Sequence, residues 1–368
     1  MSTVLSCIEV FLTDGFMYSL LALGYYISFS TLDFPDLSVE GTVLLGGVVY
    51  SLLVCGCNPA LAVIFAGVMG TLIAFVVCML LSMRGCIKII SALAGLAVGA
   101  LSGFGLCKLL SAGSCNPWLA IVIAFVLGSL AGSVTGFLHV KLHIRPLLCG
   151  ILVSTGLISI NLVMTVVGNG GNFRGEDALS TISFTRNDPT VLRTFPAKLI
   201  PDNVSGINVR ALVTFFVVAL VFKLILDGYL KTKNGLLLRA TGNNTQFVSM
   251  LAQNPGKSKI IGLAISNGYA AVAGALIATS RANANQGMGI GMVVIGLASV
   301  IIGLSLFGKL RFMKPTTMVI LGSIIYQACL AIATYLGVPS AYNKFIMAVL
   351  FTIALVMSSA MKKGESKV

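Results

Sequence analysis

Uncharged apolar runs of about 20 residues recur along the chain, and each is long enough to cross about 30 Å of hydrocarbon as an α-helix. In lipid, every backbone N–H and C=O must find its partner within the protein, so such runs fold as packed helices. The ten-residue alternation of a membrane β-barrel is absent from the sequence. Composition agrees: mean hydropathy is +1.01. Only 10% of the 368 residues are charged, where a soluble domain carries about 25%. The expectation is a single all-α, polytopic transmembrane bundle over residues 1–368.

Eleven spans are expected, near 9–30, 40–55, 60–83, 87–108, 117–138, 147–168, 209–229, 260–280, 289–307, 315–336 and 343–361. Basic residues collect in alternate loops: Arg84 and Lys88; Lys141 and Arg145; Lys231, Lys233, Arg239, Lys257 and Lys259; Lys309, Arg311 and Lys314; and a tail with Lys362, Lys363 and Lys367. In the long opposite loop the basic residues are balanced by Glu176, Asp177, Asp188 and Asp202. The positive-inside rule makes the first set cytoplasmic. The N-terminus is then outside, the C-terminus inside, 169–208 an extracytoplasmic loop and 231–259 a cytoplasmic one. The net charge of +13 reflects this bias and attraction to anionic lipid, and requires no nucleic acid. The first apolar run lacks a basic n-region and an A-x-A cleavage site, so it is expected as a retained span.

An internal repeat appears at an offset of 58: C-N-P-A-L-A-V-I-F-A-G-V-M-G-T-L-I-A at 57–74 matches C-N-P-W-L-A-I-V-I-A-F-V-L-G-S-L-A-G at 115–132. Both copies carry a small residue every fourth position: Ala66, Gly70, Ala74, and Ala124, Gly128, Gly132. Gly95, Gly99 and Gly103 form a third ladder. Such ladders let helices approach closely where apolarity alone cannot drive association. The nine cysteines are scattered in apolar segments and read as small buried residues; Cys55, Cys57, Cys107 and Cys115 near outer ends leave a disulfide open.

Two polar interruptions stand out. The first is T-L-D-F-P-D-L-S-V-E-G at 31–41. Pro35 breaks a helix there, and Asp33, Asp36 and Glu40 are too costly to face lipid. Two readings stay open: a broken helix lining a pathway, or a turn capped by Asp36 or Ser38. The second is R-A-T-G-N-N-T-Q-F-V-S-M-L at 239–251, polar and then amphipathic, with Phe247, Met250 and Leu251 spaced as one helix face. It reads either as a docking helix for a soluble partner or as an ordinary structured loop.

Other motifs carry less. P-G-K-S at 255–258 lacks the first glycine of a phosphate loop, since Leu251 stands there, and no strand precedes it. His139 and His143 have the spacing of a metal pair, but no third ligand lies near and Lys141 and Arg145 flank them. A basic helix end is the better reading. No nucleophile elbow or zincin motif occurs.

Taken together, L-D-F-P-D-L-S-V-E-G (32–41), H-V-K-L-H-I-R-P-L-L-C-G-I-L-V-S-T (139–155), I-N-L-V-M (160–164), L-R-A-T-G-N-N (238–244), G-L-A-I-S-N-G (262–268), A-G-A-L-I-A (273–278), M-G-I-G-M-V-V-I-G-L-A-S-V-I-I-G (288–303) and G-S-I-I-Y (322–326) resemble bacterial ABC-importer permeases. The branch is that of aromatic amino acid permeases, relatives of the branched-chain amino acid and ribose permeases, and the resemblance runs from about residue 15 to 355. It implies a type II-like permease in the bacterial inner membrane, with no ATP site and no cofactor of its own. ATP and Mg would sit on a separate cytoplasmic ABC ATPase. The other implied partners are an extracytoplasmic substrate-binding protein and a second permease subunit, with a homodimer as the default. Arg239, Ala240, Thr241, Gly242, Asn243, Asn244, Phe247, Met250 and Leu251 would couple to the ATPase. Asp33, Pro35, Asp36, Ser38, Glu40, Asn267, Asn283 and Asn285 are the pathway candidates.

The chain departs from its relatives' usual pattern: Asn285 replaces an Asp, Thr279 a Gln, Leu304 a Glu and Ala252 a Gly, and 84–114 looks like inserted duplication. The substrate is therefore open beyond a small polar solute, amino-acid-like first. Alternatives are a nucleoside or sugar importer of the same kind, or an ion-coupled secondary transporter with intramembrane acids and broken helices in matching halves.

Overall fold

The computed structural model describes residues 2–55, 116–168, 181–184, 188–194, 208–308, 310, 312–337 and 342–365. The described chain is a bundle of helices: α1 (Ser2–Tyr25), α2 (Val39–Cys55), α3 (Pro117–Leu142), α4 (Pro146–Gly168), α5 (Val209–Lys231), α6 (Lys233–Asn243), α7 (Thr245–Met250), α8 (Pro255–Arg281), α9 (Met292–Phe307), α10 (Pro315–Tyr335) and α11 (Asn343–Glu365). Among the described residues, seven helical segments are long and apolar enough to cross a membrane, and Val39–Cys55 and Phe345–Val356 are shorter apolar helices. The expected spans 60–83 and 87–108 lie outside the described residues, as do the first copy of the repeat, the ladder at Gly95, Gly99 and Gly103, and Cys57, Cys107 and Cys115. Cys55 donates its thiol to Asp188 Oδ2 at 3.6 Å.

One feature departs from an all-helical expectation. A short antiparallel pair, β1 (Thr181–Ser183) with β2 (Asn283–Asn285), sets Ile182 opposite Ala284. It ties part of the long 169–208 loop to the segment that follows α8.

Within its apolar window 83% of α8 is buried, against 28% for α5, so α8 is the axis of the bundle and α5 lies at its edge. The axis packs chiefly on α3 and α2. The surviving small-residue ladder explains the first contact. A methyl group added at Gly132 would meet the Leu263 carbonyl, and one at Gly128 would lie 2.6 Å from the Asn267 carbonyl. The α2–α8 crossing is reciprocal: Gly46 abuts the Ala271 carbonyl and Gly274 abuts the Val43 carbonyl. Backbones therefore touch on both faces of α8, which maximises packing where water supplies no drive.

Local chemistry sets the ends of α8 and α3. Asn254 Oδ1 accepts the Gly256 N–H at 2.9 Å and Pro255 opens α8. P-G-K-S is thus a capped helix start. Asn116 and Pro117 start α3 in the same way. His143 ends α3 in the left-handed conformation, with φ +55°. His139 Nδ1 lies 2.9 Å from the Ile144 carbonyl and its Nε2 lies 3.3 Å from Lys259 Nζ, so that imidazole ties the end of α3 to α8.

Candidate functional site

Two irregular segments converge on the start of α2. The first follows α1. A six-residue π-helical turn, Tyr26–Thr31, widens the helix, so that Leu32 N–H bonds the Ile27 carbonyl and Phe34 N–H bonds the Ser28 carbonyl. Asp33 then takes φ +52°, and the chain runs without regular structure to Ser38. Such backbone persists at membrane depth only where protein or a water-filled cavity surrounds it.

Asp36 is the buried centre of this break, at 1% exposure. Its Oδ1 accepts from Ser38 N–H at 2.9 Å and from Ser38 Oγ at 2.6 Å. Its Oδ2 accepts from Asn267 Nδ2 at 2.7 Å. Asn267 is the thirteenth of the 27 residues of α8, one short of its midpoint. Thr42 Oγ1 donates to Asn267 Oδ1 at 2.8 Å, and Asn267 Nδ2 also reaches the Leu263 carbonyl at 3.1 Å. Tyr25 Oη donates to the Asp36 carbonyl at 3.2 Å. Three donors on one carboxylate offset the loss of water that a buried charge suffers. The sequence had left a turn capped by Asp36 or Ser38 and a broken helix lining a pathway as alternatives; the geometry shows a capped turn whose carboxylate also reaches a neighbouring helix. An Asx turn closes on Ser38, just ahead of α2, and the same carboxylate is bonded across to α8.

The second irregular segment follows α8. It contains β2, a short 3₁₀ turn at Gln286–Gly289, and Gly291 at φ +87°. Glu40 Oε1 accepts the Gly291 N–H at 3.0 Å, immediately ahead of α9. A carboxylate there also complements the positive end of the α9 dipole. The two breaks thus meet at Glu40 and Gly291.

The other pathway candidates do not join this network. Asp33 and Pro35 are exposed on the outside of the first break. Asn283 and Asn285 sit on β2, where Asn283 Nδ2 donates to the Arg281 carbonyl and Asn285 Nδ2 to Asn283 Oδ1. They shape a turn at the far end of α8. The structure adds Tyr25, Thr42 and Gly291. Thr42 was legible as one helical turn beyond Ser38; the other two had no local signal.

The coupling candidates are divided between two helices, with Asn244 between them and Leu251 just after the second, and do not form the one helix expected over 239–251. Arg239, Ala240, Thr241, Gly242 and Asn243 belong to α6. Asn244 is extended and its Oδ1 accepts the N–H groups of Gln246 and Phe247, at 3.0 and 3.1 Å. A side chain that competes for backbone donors ends one helix and caps the next. Phe247, Met250 and Leu251 are exposed, Met250 to 82%, which leaves an apolar surface on a segment between two spans. On α6, Thr241 is buried and Gly242 lies directly against the Thr31 carbonyl, with the Leu32 backbone beside it. Leu32 in turn packs near Gly262 of α8 with Leu238 of α6.

A family described as the branched-chain amino acid transport system permease component matches residues 85–355. The chain belongs to this family. A tyrosine transport system permease protein of Clostridioides difficile (strain R20291) is 31% identical over 360 residues, 97% of this chain and 94% of that protein. An uncharacterized protein of Rickettsia prowazekii (strain Madrid E) is 28% identical over 228 residues, 61% of this chain and 73% of that protein. No solved structure matches. The chain is therefore a permease component of a transport system and a multi-pass protein of the bacterial plasma membrane.

Ala252 holds φ +55° just after α7, a conformation that glycine adopts without a steric penalty. Thr279 returns its hydroxyl to the Ala275 carbonyl of its own helix at 2.9 Å. Leu304 is half-buried within α9.

Proposed function

We propose that the permease forms the translocation pathway of an ATP-binding-cassette importer for a small amino-acid-like solute. One observation carries this reading: Gly242, next to the exposed apolar surface of α7, rests on the Thr31 carbonyl at the head of the break that holds Asp36. A displacement of α6 and α7 by a closing ATPase would press directly on the segment bonded to the middle of α8. That is a short mechanical route from a cytoplasmic surface to the bundle axis, of the kind that alternating access requires.

In this reading residues 1–368 form one permease domain of eleven spans, with the N-terminus outside and the C-terminus inside. The 231–259 segment is cytoplasmic and enters the ATPase, which holds ATP and Mg; this chain hydrolyses nothing. The 169–208 loop meets a binding protein, and a second permease subunit completes the assembly. Asp36, Ser38, Asn267 and Glu40 hold the pathway's two broken segments in register rather than contacting the solute. The tyrosine transport relative supports an aromatic amino acid as the solute.

The test is uptake by vesicles containing the permease, its ATPase and its binding protein. Uptake should require ATP and persist when ion gradients are collapsed. Uptake that follows an ion gradient without ATP would replace this reading with a secondary transporter.

A further inference from the structure

At the Arg281 end of α8 a cavity of about 400 Å3 opens between α1, α9, α10 and α11, away from Asp36 and from the coupling surface. Its volume falls in the range of small-molecule sites, about 300–1,000 Å3. Opposite charges line it. Arg281 donates through Nη2 to the buried Tyr18 hydroxyl at 2.8 Å, which orients the guanidinium. Asp14 lies within electrostatic reach of Arg281. Yet among the described residues Asp14 makes no hydrogen bond, and no ion pair within 4 Å joins it to Arg281. Gln327 lines the same cavity at 6% exposure.

We propose that this cavity binds the head group of a free α-amino acid, with Arg281 receiving the carboxylate and Asp14 the ammonium. A zwitterion neutralises both charges at once. A simple carboxylate leaves Asp14 uncompensated, and a simple amine leaves Arg281 so. Sugars and nucleosides compensate neither. The wall beside the head group is apolar and aromatic, with Phe11, Tyr18, Leu330 and Tyr335, and suits a large apolar or aromatic side chain. The proposal rests on the reading of the permease as an amino acid importer. It adds that the membrane subunit itself reads the head group, at the end of α8 opposite the coupling helices.

Cys7 lines the same cavity, so the wild-type chain carries its own reporter. The purified full-length permease in lipid nanodiscs is treated with a maleimide, and modification is read at Cys7 by peptide mass spectrometry. L-Phenylalanine should slow Cys7 modification; phenethylamine and 3-phenylpropionate, each lacking one charge, should need about tenfold more for the same effect, the weight of one such contact. Asp14→Asn and Arg281→Gln should each raise the half-protecting concentration of L-phenylalanine by about tenfold or more. Equal protection by all three compounds, or none by L-phenylalanine in the wild-type chain, overturns the proposal. Phenylalanine uptake in the reconstituted importer without protection removes this site and leaves the importer reading standing. Protection without uptake of any amino acid does the reverse.

Discussion

Asn267 Nδ2 donates to Asp36 Oδ2 at 2.7 Å, joining the middle of α8 to a break 231 residues earlier in the chain. Both side chains are buried, and each is held by a second group: Ser38 on Asp36, Thr42 on Asn267. The pair fixes where α2 starts relative to the bundle axis. It lies on the same break that Gly242 touches from α6.

Replacing Asp36 tests whether that link matters for transport. Asp36→Asn keeps size and shape. Its new amide would face the Asn267 amide, donor to donor, unless Asn267 turns over and gives up its bond to the Leu263 carbonyl. Because size and shape are kept, assembled yield should stay near wild type, while the disturbed link lowers uptake in reconstituted vesicles. Asn267→Leu strips the donor from a buried carboxylate and should cost about 2–3 kcal/mol, seen as lower yield and a lower melting temperature. Normal uptake by Asp36→Asn would remove the pathway role.

Contact between coupling segment and break is tested at Gly242. A Cβ there collides with the Thr31 carbonyl. Gly242→Val should separate α6 from the break, so that ATP hydrolysis continues with reduced uptake per ATP. Gly228→Ala is the matched control, because nothing lies within 4 Å of a Cβ at that position of α5. It should leave transport intact and stabilise its helix by up to about 1 kcal/mol.

The apolar surface on α7 should be an ATPase contact. Phe247→Asp and Met250→Asp change exposed side chains, so folding should move by no more than about 0.5 kcal/mol. Retention of the ATPase on the affinity-purified permease should drop about tenfold or more, the weight of a lost apolar anchor. Arg239 is exposed one turn back on α6, and Arg239→Glu should act in the same direction. Full ATPase retention by all three variants would make the segment an ordinary loop.

Ala252 offers a gain. Its left-handed backbone costs a residue with a Cβ about 1 kcal/mol or more. Ala252→Gly should raise the temperature at which the loop between α7 and α8 becomes susceptible to limited proteolysis. A lowered temperature would show that the methyl group has a packing role worth more than the strain.

Orientation is tested by labelling. A cysteine introduced at Ser180 should react with an impermeant reagent in intact cells, and one at Ser249 of α7 only after lysis. The opposite pattern would invert the orientation.

Much of the architecture was legible from local signals. Apolar runs located the helices because lipid leaves the backbone no other way to bond. The ladder Ala124, Gly128, Gly132 announced a close helix contact, and Phe247, Met250 and Leu251 announced an exposed apolar face, each from spacing alone. Asn254 with Pro255 marked a helix start. What spacing missed was the break at Asn244, where one side chain captures two backbone donors and turns an expected helix into two.

Only the tertiary structure decided which helices are neighbours. Apolar helices in lipid carry few marks of their partners, so no periodicity could reveal that α8 is the axis, that Asp36 meets Asn267, or that Glu40 meets Gly291. The three acids at 33–40 looked equivalent in sequence. Packing separated them, leaving Asp33 exposed, burying Asp36 in a shell of donors and turning Glu40 to the start of α9. Asp14, Arg281 and Gln327 come from three distant helices, and they share a cavity only because the bundle brings those helix ends together. The sequence by itself determined the elements, since each answers to forces within a few residues; their pairing answers to shape complementarity across the whole bundle, which no local pattern encodes.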